Sequence, residues 1–198
     1  IMAGHVFTTG MTGEKTLTVA AFDAATGKAL WKREVETGVL PRITPPNSHA
    51  SSTPAVDDGR VYVHVSTIGI IAFDAANGAE VWRHPLPKAA YLMDWGAAAS
   101  PVVHGGRVFF CQDDDLSPFV VAVDAKSGKF LWRWDETGKG PANMPTPVAA
   151  DAYVYTGSSQ FGGGGLVKIV SNGGEVKAEG VYSERDTPFT LGGQVLIS

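Results

Sequence analysis

Asp113, Asp114 and Asp115 stand side by side in the stretch CQDDDLSP. Adjacent carboxylates are hard oxygen donors of the kind a Ca²⁺ ion gathers in sets of six to eight. The spaced ligands and pivot glycine of a Ca²⁺-binding loop are missing, so the run reads as a solvated acidic loop. The five histidines show no close metal-ligand pair, and no Ser, His and Asp can be ordered into a nucleophilic constellation. Cys111, the single cysteine, cannot close a disulfide within the chain and reads as a small apolar residue in a strand. The run FGGGG at 161–165 lacks the Gly-Lys-Ser/Thr ending of a phosphate-binding loop and reads as a flexible loop. Recognition is the chemistry that remains. The stretches NSHASSTP and YLMDWGAAASP place aromatic rings beside amide, imidazole and carboxylate groups. Asn47, His49, Tyr91, Asp94 and Trp95 are therefore the candidate binding residues.

The elements that position them are set by a repeat. AAFDAATGKALW, IAFDAANGAEVW and VAVDAKSGKFLW each place an Asp four residues before a Gly and eight before a Trp. The triplets are Asp23, Gly27 and Trp31; Asp74, Gly78 and Trp82; and Asp124, Gly128 and Trp132. A second element, a Ser/Thr-Pro strand, recurs at Pro54, Pro101, Pro147 and Pro188. Each unit reads as four short strands. The first turns at a pair such as Asp58-Gly59, Gly105-Gly106 or Gly192-Gly193 that tolerates positive φ, and the second alternates side chains with the β period. The third ends in the Asp turn, where the carboxylate accepts backbone N–H groups and Gly supplies the left-handed residue. The fourth carries the Trp, whose ring is expected to dock between neighbouring sheets with its N–H on a backbone acceptor. Four-stranded units at this period predict an all-β fold, a β-propeller of antiparallel blades. The units fall at roughly 1–49, 50–97, 98–144 and 145–186, with a further unit starting at 187–198. In the propeller the connections holding the five candidate residues converge on one face around the central channel.

The fourth unit, VKIVSNGGEVKAE, is eroded: aligning Gly174 with Gly128 puts Val170 in the place of Asp124 and Ala178 in that of Trp132. Loss of both signature side chains argues that the motif builds rather than reacts. Composition narrows the rest. A net charge of -4 with no basic run gives no footprint for nucleic acid or an anionic membrane surface, and no stretch has the length of apolar residues that a membrane span needs.

At these motifs the chain resembles the pyrroloquinoline-quinone-like (PQQ-like) β-propeller repeat family. The repeat count reads as about four blades forming an incomplete arc of a larger propeller, and the resemblance implies placement in the periplasm or secretion. The family includes quinoprotein dehydrogenases, the propeller lipoprotein of the outer-membrane assembly machinery and many extracytoplasmic repeat proteins, and the chain looks most like the last group. The reading that follows is a non-catalytic binding or assembly scaffold with a protein partner and no cofactor. The alternative is a fragment of a PQQ-dependent dehydrogenase, which implies PQQ and Ca²⁺. Those enzymes stack a pair of adjacent cysteines on the quinone, an element that a single cysteine cannot supply.

Strand counting completes the expectations. GHVF at 4–7 matches GRVY and GRVF, so the chain enters at the second strand of a unit. TPFTL and QVLIS then supply the first two strands of a last one. The units hold three, four, four, four and two strands, and an open arc of this kind is expected to self-associate.

Overall fold

The computed structural model describes residues 2–136, 143–158, 163–185 and 193–197. These residues form fifteen strands and no helix, in four antiparallel sheets. The first blade holds β1 (His5–Met11), β2 (Thr16–Asp23) and β3 (Ala29–Glu36). The second holds β4 (Ala55–Asp57), β5 (Arg60–Val65), β6 (Gly69–Asp74) and β7 (Glu80–Pro85). The third holds β8 (Val102–His104), β9 (Arg107–Gln112), β10 (Phe119–Asp124) and β11 (Phe130–Trp134). The fourth holds β12 (Val148–Ala150), β13 (Tyr153–Gly157), β14 (Gly164–Asn172) and β15 (Glu175–Glu184). In every blade the strands lie side by side in chain order.

The turn chemistry is as the residue types dictate. Asp58 and Gly59 sit at φ 42° and 72°, and Gly105 and Gly106 at 56° and 72°, the two left-handed residues of a tight hairpin turn. Ala3 and Gly4, at φ 48° and 75°, make the same turn between Met2 and His5, which form an isolated bridge. β1 is thus the second strand of its unit. Asp23 Oδ1 accepts the Thr26 N–H at 2.8 Å, Asp74 Oδ1 accepts the N–H groups of Ala76 and Asn77 at 3.0 Å, and Asp124 Oδ1 accepts that of Ser127 at 2.7 Å. Bonds from Thr26 and from Ser127 hold the Asp23 and Asp124 carboxyls below the usual carboxylate range.

A β-bulge precedes each Trp. Ala21 faces Trp31 but Phe22 faces Ala29, Ala72 faces Trp82 but Phe73 faces Glu80, and Ala122 faces Trp132 but Val123 faces Phe130. One residue of the outer strand is skipped each time, and the Trp is brought onto the face that meets the next blade. The fourth blade differs. Its Gly173-Gly174 hairpin runs in regular register, Lys168 faces Glu179, and the irregularity moves to Leu166/Val167. Lys168 is the counterpart of Ala122, so Glu179 holds the position of Trp132. Ala178 points the other way and packs toward the third blade. Aligning Gly174 with Gly128 puts Ala178 rather than Glu179 opposite Trp132 because the bulge has moved away from the turn.

Three clusters of buried side chains join the blades in succession. Leu17, Val19, Ala21 and Trp31 pack on Val61, Val63, Ile71 and Phe73; Tyr62, Ile70 and Trp82 on Phe110, Val121 and Val123; and Phe109, Ala122 and Trp132 on Val154, Val167 and Ile169. No cluster joins the fourth blade to the first among the described residues. The short strand β8 contacts both β4 and β12, so the first strands line the axis of the arc. TPFTL lies outside the described residues, and residues 193–197, expected as part of a strand, form none.

Candidate functional site

The connections from one blade's outer strand to the next blade's inner strand, residues 37–54 and 86–101, share one face with the loops that join second and third strands. Two of these connections are tied together. Asn47 Nδ2 donates to the Trp95 carbonyl at 3.0 Å, the Thr44 N–H donates to the Asp94 carbonyl at 2.6 Å, and Arg42 Nε lies 3.7 Å from Asp94 Oδ2. Asp94 (φ 53°) and Gly96 (φ 76°) bend the second connection against the first, where a β-carbon on Gly96 would lie 2.8 Å from Ile43 Cγ2. Asn47, Asp94 and Trp95, three of the five residues singled out from sequence, thus meet across the first two units.

His49 is half-buried in a cleft of about 500 Å³ that Met11, Pro41, Ile43 and Asn47 also line. Burial holds its imidazole below the usual histidine range, and Nδ1 has no hydrogen-bond partner among the described residues. Tyr91 belongs elsewhere: burial, then the charges of Asp113, Asp114 and Asp115, push its phenol well above the usual range. The structure therefore places Tyr91 with the acidic run rather than with Asn47 and Trp95.

That run is not the solvated loop the sequence suggests. Asp113 is 3% exposed and Asp114 8%. The carboxylates cap backbone N–H groups of neighbouring segments, which the bare connections leave without strand partners. Asp114 Oδ1 accepts from Leu116 and Ser117 at 2.8 and 2.9 Å, its Oδ2 from Ala90 at 3.3 Å, and Asp115 Oδ2 from Leu92 at 2.7 Å. Asp113 Oδ1 accepts the Asn143 N–H at 2.8 Å, while Oδ2 is buried with no partner among the described residues. Burial pushes the Asp113 carboxyl up to about 7. Gln112 Nε2 completes the frame by donating to the Pro87 carbonyl at 3.0 Å. Sequence reasoning missed this role. The signal it had was position: the run directly follows β9, where side chains still alternate between blade faces.

The remaining candidates resolve simply. Cys111 is wholly buried in β9, and desolvation pushes its thiol up to about 12, so it is an inert core residue. Phe161 and Gly162 lie outside the described residues, but Gly164 and Gly165 open β14 rather than a flexible loop. A β-carbon on Gly165 would lie 2.5 Å from the Trp134 ring. No three His, Cys, Asp or Glu side chains converge to hold a metal among the described residues. No helix there is long and apolar enough to cross a membrane.

Successive three- and four-stranded sheets packed through a docked Trp, with a face built from blade connections, define a β-propeller of the PQQ-repeat class. The family described as outer membrane protein assembly factor BamB matches residues 15–192, and the chain belongs to this PQQ-repeat family. Among relatives, it is 32% identical over 171 residues to the dehydrogenase subunit of a quinone-type alcohol dehydrogenase from Gluconobacter oxydans, covering 74% of this chain and 22% of that one. It is 25% identical over 152 residues to the outer membrane protein assembly factor BamB of Moranella endobia, covering 76% and 35%. Among solved structures, the quinohemoprotein alcohol dehydrogenase ADHIIG of Pseudomonas putida superposes with a TM-score of 0.61 at 22% identity, over 95% of this chain and 33% of that one. BamB from Moraxella catarrhalis superposes with a TM-score of 0.53 at 21% identity, over 82% and 46%. The chain thus spans about a fifth of the Gluconobacter relative.

Proposed function

We propose that this chain is a non-catalytic, extracytoplasmic segment of a propeller that binds a protein partner through the face built by residues 37–54 and 86–101. The observation that carries this reading is the Asn47 to Trp95 bond, which fixes two blade connections as one surface. Val39, Leu92, Met93 and Leu116 are exposed on the connections and loop of that face, and apolar side chains on a rigid frame suit a protein contact. The BamB relatives support a partner of this kind. The test compares wild type with Trp95→Ala and Asn47→Ala in cross-linking to envelope proteins. Both variants should keep their melting temperature to within a few degrees and lose the cross-linked partner. A partner retained at wild-type yield by both would remove the reading.

A second reading, part of a PQQ-dependent dehydrogenase, is favoured by the sequence likeness to the Gluconobacter enzyme subunit. It predicts saturable uptake of PQQ with Ca²⁺ and reduction of an artificial acceptor by an alcohol. The scaffold reading predicts neither.

A further inference from the structure

The chain carries one reactive dipeptide in two settings. Of its four asparagines, Asn77 and Asn172 are followed by glycine, whereas Asn47 and Asn143 precede Ser48 and Met144. An asparagine side-chain amide is open to attack by the backbone nitrogen of the next residue, and glycine, with no side chain, hinders that nitrogen least. The surrounding structure then decides whether the attack takes place.

Asn77-Gly78 is locked. It lies in the Asp turn of the second blade, where the Gly78 N–H donates to the Asp74 carbonyl at 2.8 Å and the Asn77 N–H to Asp74 Oδ1 at 3.0 Å. Asn77 Oδ1 accepts the Ala79 N–H at 2.7 Å, which holds the side-chain amide in place, and Arg33 Nε donates to the Gly78 carbonyl at 3.0 Å. Gly78 is buried, and the Trp31 ring covers it so closely that a β-carbon there would lie within 2.7 Å of it. The nitrogen that would attack is bonded, and the peptide unit around it has no room to turn.

Asn172-Gly173 stands in the open. Asn172 faces Glu175 at the end of the β14–β15 ladder, and Gly173 and Gly174, at φ 57° and 88°, make the turn between them. In a two-residue turn the closing bonds run between the flanking pair, so the Gly173 N–H is left to solvent. Residues Ser171 to Glu175 are all exposed, and nothing lies within 4 Å of the place where a β-carbon on Gly173 would be. Two consecutive glycines let the backbone swing that nitrogen toward the asparagine side chain.

We propose that Asn172 is a site of spontaneous deamidation, whereas Asn77 is protected by its blade. The Gly173 nitrogen gives its proton to hydroxide and attacks Asn172 Cγ. A nitrogen–carbon bond forms, and the side-chain nitrogen takes up a proton and leaves as ammonia. Water then opens the cyclic imide at either carbonyl, giving aspartate or an isoaspartyl link in which the main chain runs through the side chain. The aspartate sets a negative charge directly across from Glu175, and like charges so placed weaken a ladder. The isoaspartyl product has the same charge and also lengthens the backbone by one carbon, which breaks the alternation of side chains. Deamidation thus loosens the tip of the hairpin. This tip lies at the opposite end of the blades from the connections assigned to a partner, so the site stands apart from that reading.

The test incubates the folded chain at mildly alkaline pH in heavy-oxygen water and follows both dipeptides by peptide mass mapping. Asn172 should convert at least about tenfold faster than Asn77, which reacts only through local opening of its blade. In denaturant the two rates should converge. Equal rates in the folded chain overturn the proposal, as does an Asn172 that stays intact while the denatured chain converts, or a rate difference that persists in denaturant. The consequence is read with Asn172→Asp, in which the amides of Glu175 and Val176 should exchange with deuterium faster than in wild type while those of β9 keep their rates. Unchanged exchange at the tip overturns the loosening.

Discussion

Trp82 donates its indole N–H to the carbonyl oxygen of Ala125, 43 residues away and one blade on. The same oxygen lies 3.2 Å from the Tyr62 hydroxyl and 3.3 Å from Arg60 Nη1. Three side chains of the second blade thus converge on one backbone atom of the third. Trp82→Ala removes the ring from a buried cluster and leaves a cavity, and should cost about 3–5 kcal/mol. A denaturant titration reads this directly. A midpoint equal to that of wild type would mean that the blades are held together elsewhere.

The three docked tryptophans are not equivalent. Trp31 and Trp82 have acceptors, but Trp132 Nε1 is buried with no partner among the described residues, because the fourth blade replaces the Asp turn with a tight Gly-Gly hairpin. Trp→Phe should therefore cost about 1 kcal/mol more at Trp31 or Trp82 than at Trp132, the net worth of one hydrogen bond. Equal losses in parallel melts would contradict the structural account of erosion.

Glycine replacement tests the same contacts from the other side. Gly27→Ala meets only the cost of a left-handed alanine, about 1–2 kcal/mol. Gly128→Ala adds a clash with the Trp82 ring, so it should cost roughly twice as much or more. Thermal unfolding of both variants ranks them.

Two buried groups give the stability a pH dependence of opposite sign. Asp113, with its carboxyl up to about 7, keeps its proton in the folded chain while the unfolded chain loses it near 4. Stability therefore falls as pH rises from about 4 to 7, and the penalty stays constant above. Asp113→Asn should match wild type near pH 4 and exceed it at pH 8 by on the order of 3 kcal/mol. His64, stacked on Phe110 with ring centroids 4.2 Å apart and Nδ1 3.4 Å from Ser52 Oγ, is depressed by burial to about 3. Its neutral form is the one that folds, so stability is full above the usual histidine value of 6.5 and is lost as pH falls toward 3. His64→Phe should lose that acid-side slope while D113N keeps it. Denaturant midpoints at pH 4, 6 and 8 separate the two.

Blade composition was legible because its determinants are local. Asp23, Gly27 and Trp31 fix a turn and a docked ring within nine residues, and Asp58-Gly59 fixes a hairpin. What escaped the sequence depends on register or on neighbours distant in the chain. Whether Ala178 or Glu179 replaces the tryptophan is decided by a bulge that moved to Leu166/Val167, and no residue type announces it. Asp113 and Asp114 look like solvated charges until the backbone N–H groups of Asn143 and Ala90 are brought to them across the connections. Tyr91 and Asp94 are three residues apart in sequence, yet one faces the acidic run and the other the Asn47 connection. Gly164 and Gly165 read as slack until the Trp134 ring is seen against them.

The displaced bulge has a consequence for the outer edge of the fourth blade. In the first three blades the skipped residue, Leu30, Val81 or Leu131, kinks the outer strand just past its turn, whereas in β15 the skipped residue is Val181, far from the turn. β15 is ten residues long and runs in unbroken register from Glu175 through Gly180, with Val181 and Tyr182 exposed beyond. An exposed ladder edge of this kind is where cross-β pairing can begin. Glu175, Lys177, Glu179 and Glu184 space charges along it, and these gatekeepers take over by repulsion what the kink does by shape elsewhere.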